Sequence, residues 1–212
     1  MLVKMLMSTL LMMILSAGAI FFVIQTDVLS ADGGNDYENG TLAYTFSDET
    51  YFFHLSRESI RDTIEEATST VESIEGYLLE ETMSTLTQPD IAFVYVETPR
   101  LTAIKETKLI YDHFGRTPSV PEMEAKLSDQ FLPIHVRFTS NRGFVYEVVL
   151  YQGAEKVSSI KREVTGAGAM QTVYVDTSGI DFSQPATVVV EDQMDEALFV
   201  EYAVDFGSLN RK

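Results

Sequence analysis

The stretch PIHVRFTSNRGFVYEVVLY, residues 133–151, determines the predicted fold class of the chain. Between Ile134 and Phe138 apolar and polar residues alternate, which is typical of a strand with one buried face. Residues 140–143 have the composition of a turn, and residues 144–151 are rich in valine and aromatic residues. The stretch therefore predicts two consecutive antiparallel strands.

Strand patterns continue from this stretch toward the C-terminus at short, regular intervals. Turn-forming residues separate four more predicted strands, at residues 156–163, 171–176, 186–191 and 198–206. Six strands at this spacing predict an antiparallel β-sandwich-like sheet over residues 133–206. Residues 207–212 are then a C-terminal tail.

A helical pattern of apolar residues lies ahead of the strands. Its members recur at spacings of 4, 3, 4, 3 and 4 residues, which places them on one face of a helix. We call these six residues the apolar stripe: Ile60, Ile64, Ala67, Val71, Ile74 and Leu78. With Ser56 as N-cap and Pro89 as the stop, the sequence predicts a long amphipathic helix over 56–88. This helix belongs to a helical or mixed subdomain over 41–132.

The apolar stripe has two interpretations. In the first, it binds a partner helix or joins copies of the chain in a coiled coil. Six glutamates flank the stripe and would repel one another in a self-paired coil: Glu65, Glu66, Glu72, Glu75, Glu80 and Glu81. In the second, the helix packs on the sheet of its own domain, and an exposed sheet edge becomes the better docking surface.

Other segments of the mixed subdomain have weaker patterns. The sequence predicts two short strands within 41–55, a buried strand at 91–96, and helices at 101–114 and 121–131. Together with the C-terminal strands, these segments predict an α+β domain.

An uncharged segment over residues 5–24 precedes this domain. As a helix, twenty residues span about 30 Å, the thickness of a bilayer core. Lys4 lies before the segment and the next basic residue is Arg57, so the positive-inside rule places residues 1–4 in the cytoplasm. We expect a single-pass signal-anchor, a flexible spacer over 25–40 and an extracytoplasmic domain. A cleaved signal peptide and a secreted domain are the alternative.

Composition excludes several classes of function. The formal net charge is −17, and so acidic a surface disfavours binding to nucleic acid. The chain has no cysteine, which excludes disulfides, thiol nucleophiles and cysteine-ligated zinc.

The remaining residue patterns predict no catalytic site and no cofactor. His54, His113 and His135 have no metal-ligand spacing, and no serine lies in a GxSxG motif. The acidic loops 191–196 and 176–181 offer oxygen ligands for Ca²⁺, although neither has EF-hand spacing. Solvated turns are the alternative interpretation of both loops.

The order of an apolar N-terminus, a helix and C-terminal strands resembles the layout of pilins and pseudopilins. In those proteins the apolar segment continues directly into the long helix and carries an early glutamate. Here no acidic residue precedes Asp27, and a polar spacer follows the segment. Because the resemblance is one of layout only, a pilin-like filament subunit is an alternative to an anchored binding protein.

The first expectation is a membrane-anchored extracytoplasmic protein of the cell envelope. It would bind or assemble with an unidentified envelope protein and have no catalytic role.

Overall fold

The computed structural model describes residues 42–69, 74–87 and 90–211. The predicted cytoplasmic stub, membrane segment and spacer lie outside these residues. Among the helices within the described ranges, none is both long enough and apolar enough to cross a bilayer.

The described residues form four helices and nine strands, joined by short loops and 3-10 turns. The helices are α1 (Arg57–Ser69), α2 (Pro99–Phe114), α3 (Val120–Glu124) and α4 (Phe206–Leu209). The strands are β1 (Glu80–Ser84), β2 (Ile91–Val96), β3 (Phe131–Phe138), β4 (Tyr146–Gln152), β5 (Glu155–Val157), β6 (Ser159–Thr165), β7 (Met170–Asp176), β8 (Ala186–Asp192) and β9 (Phe199–Val204).

The strands form two sheets in which every neighbouring pair is antiparallel. One sheet has five strands in the order β1-β9-β8-β4-β5, and the other has four in the order β2-β3-β7-β6. The chain passes between the sheets after β1, β3, β5 and β7. The predicted α+β fold with a β-sandwich-like arrangement is therefore confirmed at this level.

One apolar core contains side chains of both sheets. The alternation along β3 shows how the sequence builds it. The even-numbered residues from Leu132 to Phe138 are buried in this core, whereas Pro133, His135 and Arg137 between them are half-buried on the outer face. Because apolar and polar residues alternate along β3, one face of the strand packs in the core and the other forms a second, more polar face.

The helices form a second, smaller apolar cluster. Its buried members are Ile60, Ile64, Ala103, Met123 and Leu127. Polar contacts surround it: Arg100 Nη1 donates to Thr63 Oγ1 at 2.8 Å, and the Arg57 guanidinium binds both carboxylate oxygens of Glu124 at 2.8 and 2.9 Å. Helix α1 thus packs on α2 and α3.

The predicted helix over 56–88 is confirmed over Arg57–Ser69 and is wrong over residues 74–87, which contain a 3-10 turn at Glu75–Tyr77 and the strand β1. Near Ser69, the hydroxyls of Thr68 and Ser69 donate hydrogen bonds to backbone carbonyl oxygens three residues earlier. Such side-chain hydrogen bonds compete with those of the helix backbone and weaken the helix. From residue 80 the chain forms β1 and pairs with β9. Pairing with a distant strand thus overrides the local helical spacing.

The two short strands predicted within 41–55 are also wrong for the described residues of that segment. The Asp129 carboxylate accepts hydrogen bonds from the backbone N–H groups of Ser47 and Asp48, at 2.7 and 2.9 Å. These N–H groups are satisfied by a side chain rather than by a neighbouring strand. The segment instead follows an irregular path that buries Tyr51 in the main core.

The predicted boundary at residue 133 does not divide the fold, because β1 pairs with β9 and β2 pairs with β3. Both sheets therefore contain strands from either side of it. The strand predicted at 156–163 is two strands, since β5 belongs to the five-stranded sheet and β6 to the four-stranded sheet. The chain changes sheet at Ser158.

Helix α2 confirms the prediction at 101–114. Thr98 caps its N-terminus, and Gly115 ends it with φ 64°, a left-handed conformation that favours glycine. The helix predicted at 121–131 is restricted to α3, because the chain soon enters β3. The predicted C-terminal tail is partly wrong as well, since Leu209 of α4 is buried in the core.

The core assignment predicts the effect of truncating one buried leucine. Leu150 of β4 is 1% exposed, so Leu150→Ala should lower the free energy of unfolding by about 2–5 kcal/mol. Leu109 of α2 is 50% exposed, and Leu109→Ala should change it by no more than about 0.5 kcal/mol. Urea unfolding of the full chain in a mild detergent measures both. Equal losses in the two variants would contradict this core.

Candidate functional site

A cavity of about 390 Å³ lies on the outer face of the four-stranded sheet. Phe131 and His135 of β3 line it together with Glu106 of α2 and Tyr44. Tyr174 of β7 and part of the loop between α3 and β3 complete the lining. The cavity combines aromatic surfaces with titratable side chains, and we treat it as the candidate site.

Strand register places a row of side chains across the sheet beneath the cavity. Tyr95 pairs with His135, His135 with Thr172, and Thr172 with Glu163. The Tyr95 and His135 rings are stacked, with centroids 4.6 Å apart and planes 12° apart. A hydrogen bond of 3.0 Å joins His135 Nδ1 to Thr172 Oγ1. The imidazole is therefore held by two neighbouring strands.

Glu97 follows β2 directly and supplies a negative charge at the base of the cavity. Its Oε2 atom lies 2.5 Å from Lys105 Nζ of α2 and 2.8 Å from His135 Nε2. The contact with His135 falls outside standard hydrogen-bond geometry. The Glu97 side chain is 11% exposed and that of His135 is 12% exposed. This ion-pair cluster joins α2 to the four-stranded sheet.

The charges of this cluster are stabilised in place. Burial alone would raise the pKa of Glu97, but His135 and Lys105 outweigh it and lower that pKa to about 2. Burial alone would lower the pKa of Lys105, but the negative charge of Glu97 outweighs it and raises that pKa. Glu97 therefore stays an anion and Lys105 a cation throughout the physiological range.

Aromatic rings form the wall beside these charges. Tyr44 meets Phe131 edge to face with centroids 5.4 Å apart, and Phe131 meets Tyr174 in the same way at 5.4 Å. The Tyr174 hydroxyl donates to Glu163 Oε2 at 2.9 Å. Burial raises the pKa of Tyr174, and the Glu163 carboxylate raises it further. The Tyr174 hydroxyl therefore remains a neutral donor.

The mouth of the cavity is polar and exposed. Tyr44 is 52% exposed there, and Glu106 faces Lys126 across a long ion pair of 3.8 Å. Such a pair contributes little to stability and can rearrange around a ligand. The Ser128 hydroxyl donates to the Ala43 carbonyl at 3.3 Å, which fixes the segment carrying Tyr44.

The apolar stripe is divided by the structure. Ile60, Ile64 and Ala67 are buried in α1, and Val71 lies outside the described residues. Ile74 packs against the main core, while Leu78 is 38% exposed and bridges Tyr95 at the edge of β2. These residues do not form one exposed face, so a partner would have to displace contacts within the chain. Partner binding by the stripe stays a prediction.

In each acidic loop, an aspartate side chain accepts a hydrogen bond from a backbone N–H group of the same loop. Asp192 Oδ1 accepts from the Met194 N–H at 2.8 Å, and Asp176 Oδ1 accepts from the Ser178 N–H at 2.9 Å. In the part of the chain that the structure describes, no three acidic or histidine side chains are grouped as metal ligands. Calcium binding stays a prediction.

The sequence did not single out Glu97 or Lys105, and it placed His135 only as one of three isolated histidines. One signal was present, since a glutamate directly after a buried strand is followed by a lysine eight residues later on a helix. Glu97 and Lys105 come close to His135 only through the register of β2 against β3, and local sequence patterns do not predict that register.

Stability should depend on pH through Glu97, because its pKa falls from an ordinary 4.5 to about 2 on folding. A lowered pKa stabilises the fold above pH 4.5, and that contribution disappears as the pH falls toward 2. Glu97→Gln should lower the free energy of unfolding at pH 7 by about 3 kcal/mol, with the difference vanishing near pH 2. Urea unfolding at a series of pH values measures it.

Glu106→Gln is the matched control, because Glu106 lines the same cavity but is paired only at 3.8 Å. Its effect at pH 7 should stay within about 1 kcal/mol. A loss in Glu106→Gln equal to that in Glu97→Gln, or a loss in Glu97→Gln that does not depend on pH, would contradict the proposed cluster.

The chain was compared with models of known protein families, with curated protein sequences and with solved structures. None of the three comparisons gives a match.

Proposed function

We propose that this chain is a membrane-anchored extracytoplasmic binding protein of the cell envelope, without a catalytic role, and that the cavity is its binding site. The observation that carries the binding role is that the Glu97 carboxylate, fixed by Lys105, lines the same cavity as the rings of Tyr44, Phe131 and Tyr174. Such a site presents charges and ring faces in a constant geometry, which favours recognition of a ligand.

The same ion pair argues against acid–base catalysis. A general acid or base works best with a pKa close to the working pH. The pKa of Glu97 is lowered to about 2 and that of Lys105 is raised, so neither group exchanges protons readily near pH 7. Tyr174 is also held in its neutral form, because burial raises its pKa.

The lining favours a small ligand that has both an apolar and a polar part. Tyr44, Phe131 and Tyr174 offer ring surfaces on one side. Glu106 and Lys126 at the mouth offer one charge of each sign, in a pair loose enough to open. A ligand would stack its apolar part on the rings. Its polar part would replace one partner of the Glu106–Lys126 ion pair.

Assembly with another envelope protein would use the edge of the five-stranded sheet. β1 is an edge strand, and all five of its side chains are exposed. Its free side offers backbone N–H and C=O groups to an added strand. Glu80 and Glu81 favour an extended partner segment that is basic.

Sequence supports the membrane placement, through the uncharged segment 5–24 and the absence of basic residues from there to Arg57.

Mass spectrometry of the mature N-terminus tests the placement. A signal-anchor predicts an N-terminus at Met1 or Leu2 in a protein that resists alkaline extraction from membranes and is cut by protease added to intact cells. Cleavage near Ala31 would indicate a released domain, and cleavage ahead of the apolar run would indicate a filament subunit. Either cleavage would contradict the anchor, as would protection of the domain from external protease.

Blocking the cavity mouth tests the binding site. Ala125 lines the cavity and is exposed, so Ala125→Trp should obstruct the mouth with little change in stability. Ala154→Trp, at an exposed position in the β4–β5 turn, is the matched control. In native mass spectrometry of protein from source membranes, a bound small molecule should be present in the wild type and the control but absent from Ala125→Trp.

An identical mass excess in all three proteins would contradict the cavity as binding site. Absence of any bound molecule from the wild-type protein would also count against it.

A further inference from the structure

Three aromatic rings of the cavity lining are set at right angles rather than in a flat wall. Both tyrosine rings stand nearly perpendicular to the ring of Phe131, at 88° for Tyr44 and 81° for Tyr174, with centroids 5.4 Å away in each case. Phe131 is 4% exposed, whereas Tyr44 is 52% exposed. We call these three residues the aromatic corner. Rings in this arrangement suit a rounded group that touches several of them at once.

The aromatic corner belongs to a cavity that presents negative charge to a ligand. The carboxylates of Glu97 and Glu106 both line the cavity, whereas Lys105, the partner of Glu97, is not among the described residues that line it. Lys126 lines it, but its side chain is 58% exposed and its ammonium is 3.8 Å from Glu106. This ammonium can turn to solvent at little cost in free energy. A cationic ligand would then take its place beside the Glu106 carboxylate.

The lining also contains groups that have no hydrogen to donate to a ligand. The hydroxyl groups of Thr102, Ser128 and Tyr174 each donate to an oxygen atom of the chain itself, at 3.1, 3.3 and 2.9 Å. Pro99 and Pro133 line the cavity and have no backbone N–H. These five residues give an anion nothing in place of the water that it loses on binding, whereas a cation needs no donor.

We propose that the cavity binds a small organic cation whose charged nitrogen carries methyl groups, a quaternary ammonium. This inference rests on the binding role in the proposed function and names the chemical class of the ligand. The methyl groups would pack in the aromatic corner, where the negative faces of the rings attract the positive charge. The Glu106 carboxylate would supply the opposite charge once Lys126 has turned to solvent. A quaternary nitrogen has no N–H group to satisfy, which suits walls made of rings.

Choline is the probe, and the matched control is its uncharged isostere, in which carbon replaces the quaternary nitrogen. Calorimetric titration of the full chain in a maltoside detergent, at physiological ionic strength, measures both while salt screens the general attraction of an acidic surface for cations. Choline should bind at least about tenfold more tightly than the isostere, because only choline gains from the charge. Equal binding of the two, or tighter binding of the isostere, would overturn the choice of a cation and leave the cavity as a binding site.

Two substitutions at Tyr44 separate the contribution of its ring from that of its hydroxyl group. Tyr44 is half-exposed, so neither variant should disturb folding. Tyr44→Phe should bind choline within about twofold of the wild type, whereas Tyr44→Leu should bind it about tenfold more weakly. Glu106→Gln should weaken the binding of choline several-fold and leave that of the isostere unchanged. Equal affinities of Tyr44→Phe and Tyr44→Leu for choline would overturn the role of the aromatic corner.

The blocked variant Ala125→Trp distinguishes failure of this inference from failure of the proposed function. Choline binding should be lost in Ala125→Trp and kept in Ala154→Trp. Unchanged binding in Ala125→Trp would overturn the inference, since the cation would then lie outside the cavity. If the wild type does not bind choline, yet native mass spectrometry finds a molecule that Ala125→Trp excludes, the inference alone is overturned. If that molecule is absent as well, the inference and the binding site are overturned together.

Discussion

The Glu97 carboxylate, held between Lys105 and His135, is the contact on which the arrangement of this protein most depends. It joins a helix to a sheet at a place where little water is present to screen the charges. Glu97 is the more buried partner, at 11% exposure, so removing Lys105 would leave a largely buried charge without compensation. Helix α2 in turn carries α1 and α3 through the small apolar cluster they share. The salt-bridged site and Leu101, which is buried in the main core, together join the helical layer to the sheets.

The same contact gives the cavity its chemical character. The ions at its base have pKa values displaced away from neutrality, and the ring of His135 is held by Tyr95 and Thr172. A site that keeps its charges and its shape is suited to recognise a ligand, whereas proton transfer requires groups that change their charge. At the mouth, by contrast, the ion pair of Glu106 and Lys126 is long and partly exposed.

Much of the fold could be predicted from local patterns, because those patterns reflect burial. Alternation along β3 and the apolar run of β2 identified the strands, and the helix predicted at 101–114 corresponds to α2. The failures occurred where a distant partner decides the structure. β1 lies within the segment predicted as a helix over 56–88, yet it pairs with β9, which is more than a hundred residues away. The cavity was missed for the same reason, since Tyr95, His135 and Thr172 meet only through the registers of three strands.

The proposed recognition site requires that Glu97 stay ionised, with its pKa well below the ordinary value. Carbon-detected NMR of the Glu97 carboxyl group across a pH titration tests it most directly. The carboxyl resonance should keep the chemical shift of the ionised form through pH 4.5 and should begin to titrate only as the pH approaches about 2. Titration of this group near pH 4.5 or above would contradict the account, because Glu97 would then be an ordinary or proton-exchanging carboxyl group.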